Sequence, residues 1–543
     1  MSSRTLRLLP VLLALALPLR LGGQDVPPPF DDERTRTVVL EPLPAIGSAV
    51  EERARDAQLR GREPVEGFLL RSPSSVLAQR PSRGLRLLAP EVHLAWNSRI
   101  PFSLNDGAMW AGKGGSALLA AGVVAEAGPL RLVVAPEVAY AENRGFDPLL
   151  PVHWTPVQRA TLRPDWQTGR NSIDLPFRQG ERAWTRVYPG QSSLSLTAGP
   201  LRLGAATESQ WWGPGMRNAI LLSNQAAGVP HLFVQTARPA RTPLGRVEAK
   251  WIAGSLRGSR WSGADSSSSA RSLSGAVVVL HPAGLGGLAV GAARVVYAPA
   301  SGHGDALSQG AHVFTRWRGA GDSTAAAPFE QMVSLFGRLV LPGEGAEVYG
   351  EWARYRLPGS LRDLAEAPEH TQGYTLGVQW LRPARGGGVR LQGEHTYLEK
   401  SPTWRTRPIG SYYASAAVPE GYTHEGEVLG ASVGPGGSGQ WGALDWLRGD
   451  GRIGVFMGRI RWANDAYYDA PVSAQARYRG HDVSLFGGVR AGLTFAGVRA
   501  DAEWAVGKRW NYLFQNYSTT WSNRDQAVNV VNHTLRLRLS AAP

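Results

Sequence analysis

Cysteine is absent from all 543 residues, which excludes a disulfide scaffold, a thiolate-bound zinc or iron–sulfur centre and a cysteine nucleophile. Lysine is nearly absent too. Lys113, Lys250, Lys400 and Lys508 are the whole set among 58 basic residues, so the formal charge of +14 rests on arginine. The arginines never gather into the block of about five to eight that marks a nucleic-acid patch, and nucleic acid is set aside as a partner. Long apolar runs are missing as well: the longest, Leu8 to Leu19, falls short of the roughly 20 residues a membrane helix needs. No His-Glu-x-x-His segment occurs among the 11 histidines, so neither a metal nor any other cofactor is called for. What the chain has in quantity is glycine (65) and tryptophan (19), within an ordinary 43% apolar share.

Arg4 and Arg7 precede the Leu8–Leu19 run and Gly22-Gly23 follows it. That is the charged, apolar, small-residue order of a secretory signal peptide, assigned to residues 1–24. Residues 25–84 then read as a separate N-terminal segment. It opens on Pro27-Pro28-Pro29 and holds one short helix between Gly47 and Gly61, with Val50, Ala54 and Ala57 on one face, Ser48 as N-cap and Glu51-Glu52 at the positive end. A helix this short is marginal alone in water and should dock on something larger.

From residue 85 to 543 the dominant period is two. In Val389–Lys400 one face carries Val389, Leu391, Gly393, His395 and Tyr397, the other Arg390, Gln392, Glu394 and Thr396. Val498–Lys508 and the closing Leu535-Arg536-Leu537-Arg538-Leu539 repeat the pattern. Further strands are expected at Leu85–Ser98, Gly115–Ala125, Leu130–Glu142, Leu201–Trp211, Val247–Leu256, Leu288–Tyr297, Phe329–Leu341, Ala346–Arg356, Gly373–Arg382, Arg452–Trp462 and Val472–Arg479. Most have the roughly 9 to 11 residues of membrane strands, beyond the 5 to 6 usual in soluble sheets. In lipid every backbone polar group needs an internal partner, which strands provide only when the sheet closes. The fold class is therefore an all-β membrane protein, an antiparallel outer-membrane β-barrel, in the outer membrane of a Gram-negative-type bacterium. Asn143–Ser193, Ala298–Pro328, Pro402–Thr423 and Leu513–Asn529 are expected as loops. They are rich in aromatics, including Trp154, Trp166, Trp184, Tyr188, Trp317, Trp404, Tyr412, Tyr413, Tyr517 and Trp521, which suit either an interfacial girdle or the stacking of sugar rings.

Two catalytic outlines fail for want of context. Gly107 to Lys113 has the spacing of a phosphate-binding loop, but Gly114 replaces the magnesium-binding hydroxyl and an alternating strand follows. Gly430-Ala431-Ser432-Val433-Gly434 matches a nucleophile elbow, yet Pro435-Gly436-Gly437 prevents a helix there. The chain is read as no enzyme. A barrel lipid hydrolase using Ser432 and His424 is the least favoured alternative. A channel lined by Arg390, Glu394, Arg499 and Glu503 ranks above it, although the same mixture of charges also suits a lumen braced shut by ion pairs.

Two segments are more specific. The first is Glu208-Ser209-Gln210-Trp211-Trp212-Gly213-Pro214-Gly215, continuing through Ser223-Asn224-Gln225 to Pro230; the second is Val418-Pro419-Glu420-Gly421-Tyr422-Thr423-His424-Glu425-Gly426, continuing to Gly430 and Gly434–Gly437. In order and spacing they resemble the capsule assembly Wzi family over most of the mature chain. The resemblance implies about 18 strands, a small helical region on the periplasmic side, and a lectin-like role in assembling or retaining capsular or other exopolysaccharide. Implied partners are that polysaccharide, outer-membrane lipid and the barrel insertion machinery. Candidate polysaccharide-binding or motif residues are Trp211, Trp212, Gly213, Pro214, Gly215, Ser223, Asn224, Tyr422, Thr423 and His424, with Trp404, Tyr412 and Tyr413 from the loops. For the first segment a purely structural role is equally open: two glycines permit a tight turn, Pro214 fixes it and the tryptophans anchor it.

Overall fold

The computed structural model describes residues 40–41, 46–64, 67–73, 84–146, 173–180, 182–261, 270–317, 328–418, 420–469, 480–514 and 528–542. The expected signal peptide, the strand at Val472–Arg479, Pro419 and the aromatics Trp154, Trp166, Tyr517 and Trp521 lie outside these residues. None of the described helices is long and apolar enough to cross a membrane.

One antiparallel sheet closes on itself with 18 staves. In chain order they are β1 (Gly84–Asn97), β2 (Gly114–Ala127), β3 (Leu130–Val134 and Glu137–Ala141), β4 (Trp184–Tyr188 and Ser193–Ala198), β5 (Leu201–Ala206) and β6 (His231–Thr236 and Ala240–Thr242). There follow β7 (Gly245–Leu256), β8 (Arg271–Pro282), β9 (Leu288–Pro299), β10 (Glu330–Leu341), β11 (Ala346–Arg354) and β12 (Gln372–Ala384). The last six are β13 (Gly387–Tyr397), β14 (Ser438–Arg448), β15 (Gly451–Arg461), β16 (Val483–Phe495), β17 (Val498–Trp510) and β18 (Val530–Ala541). Closure is made by β18 on β1, from Thr534 opposite Asn97 to Leu539 opposite Val92.

The alternation read from the sequence is real, and it is inside out relative to a soluble sheet. On β13 Arg390 is 1% exposed and faces the lumen, while its neighbour Leu391 is 46% exposed on the outer wall. Leu335, Leu376, Val378, Leu444, Val455 and Val489 extend the outward apolar surface around the barrel, as a hydrocarbon solvent requires. Short turns such as 128–129, 199–200, 449–450 and 496–497 all fall at one end, and segments such as 207–230, 300–329 and 398–437 at the other. In barrels of this class the short-turn end is periplasmic.

Several local expectations need correction. The span Asn143–Ser193, read as loop, contains the first half of β4, whose Trp184–Tyr188 pairs with Glu137–Ala141. Leu201–Trp211 ends as a stave at Ala206, and Trp211–Trp212 leave the wall to pair with Leu70–Arg71. The staves β6, β8, β14 and β16 were not anticipated. In β8 the cause is apolarity on both faces: Val277 and Val279 pack inside while Val278 faces lipid, so the period-two signal vanishes.

Helix α1 spans Ala49–Leu59, with Ser48 as its N-cap, and Gly61 follows its C-terminus at φ +66°. Its buried residues are Arg55, Gln58 and Leu59, not the Val50/Ala54/Ala57 face. It docks inside the short-turn mouth, and because that lumen wall is polar, a polar face is what docks.

Candidate functional site

The inward rows of the wall carry carboxylates and arginines, and each recruits part of α1 or of a long loop. Arg390 of β13 lies between Asp445 of β14 (2.8 Å), Asp56 (3.0 Å) and Glu52 of α1, while Arg490 of β16 reaches Asp445 at 2.6 Å. Arg452 also binds Glu52, and Arg499 and Asp501 pair at 2.8 Å. Arg55 of α1 and Arg338 of β10 share Glu347 of β11, with Arg338 Nη2 donating at 3.1 Å. Leu59 packs against Val340 and Leu381 beneath these charges. The lumen charges expected from the sequence therefore brace a closed mouth.

The Trp-Trp-Gly-Pro-Gly turn lies deeper inside the barrel. Trp211 and Trp212 are 2% and 0% exposed. Roughly 200 Å² of surface leaves water for each such ring, worth on the order of 5 kcal/mol before ordering costs. Arg71 lies 4.5 Å over the Trp211 ring and donates to the Gly215 carbonyl at 2.5 Å, and Arg55 donates to Pro214 at 3.0 Å. From the wall, Glu351 accepts the Ile220 N–H at 3.0 Å, and Glu394 accepts those of Met216 (2.6 Å) and Arg217 (3.0 Å). The two glycines are required for different reasons: Gly213 sits at φ +117°, a backbone region that L side chains rarely adopt, and a Cβ on Gly215 would sit 1.9 Å from the Asn218 carbonyl.

The second motif completes this plug. Tyr413 donates to the Ile220 carbonyl at 2.8 Å and accepts the Ala431 N–H at 2.9 Å; Tyr422 donates to Leu221 at 2.9 Å. Their rings stack at 5.9 Å and both are fully buried. The Tyr412 hydroxyl lies 2.9 Å from the Thr371 carbonyl, and Ser223 donates to Gly430 at 2.6 Å. Thr423 donates to Glu420 at 2.9 Å and accepts from Arg271. His424 is buried, and that burial, with Arg271 and Arg257 beside it, pushes the ring down to about 3; its neutral Nδ1 accepts the Arg257 N–H at 3.2 Å. Ser432 instead donates to Asn218 at 2.9 Å, so the two hydrolase nominees are engaged elsewhere. Burial pushes Glu427 up to about 8; Gln225 donates to one of its oxygens at 2.9 Å. Asn224 is half-buried, and its carbonyl accepts the Gly107 N–H at 2.9 Å.

Of the 13 candidate residues, the two motifs and Tyr412 and Tyr413 come together inside the lumen, and Trp404 stands apart. It is half-exposed in the turn Pro402–Arg405, with Lys400 Nζ 5.9 Å from its ring and Arg405 exposed beside it. Trp317 has a third location. Segment 303–317 folds over the rim onto the outer wall, where Trp251 donates to Gly310 at 2.9 Å and Arg294 lies 3.7 Å from the Trp317 ring. Arg55, Arg71, Glu347 and Glu351 were not anticipated at all. The inward face of Glu347 and Glu351 was readable from the period, whereas Arg55 and Arg71 lie outside the alternating staves, and the contacts that join them to the plug span 100 or more residues. Between α1 and the loops a cavity of about 360 Å³ remains, lined by Glu52, Asp106, Asn224, Arg452, Arg490 and Arg536 among others.

Comparison with known proteins places this arrangement. The family described as capsule assembly protein Wzi matches residues 102–529. Among solved structures, similarity extends to Wzi, described as an outer membrane protein involved in group 1 capsule assembly in Escherichia coli and a carbohydrate binding beta-barrel. The identity is 13%, over 93% of this chain and 95% of that one, with a TM-score of 0.54. More distant barrels include OccAB4 of Acinetobacter baumannii (9% identity, 85% and 98% covered, TM-score 0.38) and opdK of Pseudomonas aeruginosa (11%, 83% and 98%, 0.34). No curated protein sequence matches the chain.

Proposed function

The chain belongs to the capsule assembly protein Wzi family, and from that membership we propose that it binds capsular or other surface polysaccharide and helps to assemble or retain it at the cell surface. The observation that carries this reading is the occupied lumen: α1 is bound inside one mouth through Arg390 and Glu347, and the two motif-bearing segments pack inside the other, which favours the external rim over a conduit as the working surface. On that rim Trp404 offers a ring face, with Lys400 and Arg405 as hydrogen-bond donors to hydroxyl or carboxylate groups. Single contacts of this kind are weak, and a repeating polymer multiplies them.

The buried motif residues take a different part in this proposal. Trp211, Trp212, Gly213, Pro214, Gly215, Ser223, Tyr412, Tyr413, Tyr422, Thr423 and His424 hold the loops from beneath and so set the shape of the rim. The protein acts by binding, without covalent chemistry on the polymer. The test is the fraction of polysaccharide that stays cell-associated at equal total synthesis. Deletion should move polymer into the medium, and Trp404→Ala should do so while the folded barrel remains. An unchanged fraction on deletion would sink the proposal.

A further inference from the structure

The outer wall carries a feature that polysaccharide retention does not use. One outward-facing row runs without a break from Val290 through Gly337, Gly350, Leu376, His395, Gln440, Arg459 and Leu485 to Lys508, each directly opposite the next on adjacent staves. At one end of the row is an open apolar hollow of about 750 Å³, floored by Gly337 and Gly350 and walled by Val278, Leu335, Trp352 and Tyr374. The glycine at 337 is not needed for the wall itself, since a Cβ there would find nothing closer than 3.6 Å.

At the other end of the row are two cations on the lipid-facing side. Arg459 donates to Gln440 at 3.0 Å, Gln440 in turn lies 2.9 Å from His395, and Lys508 sits 5.5 Å from the Trp510 ring. Among the described residues no carboxylate forms an ion pair with either. Arg461, one pleat nearer the strand end, does have such a partner in Glu399 at 3.0 Å. A charge facing lipid is costly unless an anion meets it. With about 4.8 Å between staves, Arg459 and Lys508 lie roughly 10 Å apart, and Gly350 at the edge of the hollow lies four staves, roughly 19 Å, from Arg459. One multi-chain lipid covers that distance.

We propose that this face is a binding site for a phosphorylated glycolipid of the outer leaflet, with phosphate at Arg459 and Lys508 and one acyl chain in the Gly337–Gly350 hollow. The two ends of the site require different parts of the same molecule, and they can be tested apart. Detergent-solubilised protein would be titrated with diphosphorylated lipid A and with its dephosphorylated form, bound lipid being counted by native mass spectrometry. Wild type should prefer the phosphorylated form. The Arg459→Gln, Lys508→Gln double variant should bind it roughly 30-fold more weakly, from about fivefold per cation near a membrane surface, and should leave the dephosphorylated form unaffected. Gly337→Leu should weaken both forms several-fold. Heat-shifted electrophoretic mobility checks that each variant is a folded barrel, and if one is not, the two lipids on wild type still decide. Equal binding of both forms by wild type, or wild-type binding by the double variant, overturns the site. Indifference to Gly337→Leu overturns its acyl half.

Discussion

At the short-turn mouth the lumen is closed by charge, with Glu52 and Asp56 of α1 on Arg390, and Arg55 on Glu347. At the long-loop end neutral bonds predominate, with Tyr413 and Tyr422 on the carbonyls of Ile220 and Leu221 and Ser223 on Gly430, beside the buried ion pairs Arg271–Glu420 and Lys250–Glu208, each at 3.4 Å. The two plugs meet at the Trp211–Gly215 turn, which takes arginines from below and carboxylates from the wall. One barrel is thus sealed twice by different physics, and the seals should fail under different insults. Buried ion pairs are lost at great cost when one partner goes, while hydroxyl–carbonyl bonds fail one at a time.

The largest effect is expected at the charged end. Arg390→Ala leaves Asp445, Glu52 and Asp56 without their shared guanidinium and should cost about 3–5 kcal/mol, read as a lower urea midpoint of the refolded barrel. Single-channel recordings of that variant should stay silent because the loops still close the other end. Conductance from it would show that the two seals are not independent. At the neutral end Tyr413→Phe removes the partner of two buried backbone groups, the Ile220 carbonyl and the Ala431 N–H. A loss of about 2 kcal/mol is expected, with proteolysis opening first within 412–431.

The effects of pH oppose each other at the two ends. Glu427 is held protonated by burial, its folded value near 8 lying above the ordinary 4.5. Its contribution is complete below about pH 4.5 and is lost as pH rises through 8. Glu427→Gln should remove that decline from the wild-type urea profile, and an identical decline in both proteins would refute the assignment. At the other end burial pushes Glu52 up, but Arg390 and Arg452 outweigh it and hold the carboxylate far below its usual range. Its contribution is present above pH 4.5 and lost only in strong acid, which should release α1 there. Asp56 moves upward by burial and trims the effect. The smallest structural effect is expected for Trp404→Ala, within about 0.5 kcal/mol, with polymer retention as the property that moves.

Much of the wall was legible in the sequence. Period two gave the faces of β13 and β17 residue by residue, and Ser48, Glu51 and Gly61 located α1 within two residues. Where both faces are apolar, as in β8, or where glycines interrupt the pattern, as at Gly487-Gly488 of β16, the period fails and the stave was missed. The site was less legible. Trp211-Trp212-Gly213-Pro214-Gly215 and Tyr422-Thr423-His424 could be picked out as unusual, but a stacking platform for sugar and a buried keystone have the same composition.

By itself the sequence determined which side meets lipid for each strand whose period is regular, because that choice rests on neighbours one and two residues apart. Only the tertiary structure decided that the two motif-bearing loops turn inward and that α1 docks by its charges. Those outcomes depend on pairs such as Arg55 with Glu347, 292 positions apart, and Glu394 with Met216, 178 apart. Closure of the barrel brings such residues within hydrogen-bond reach in a lumen where an unpaired charge is costly.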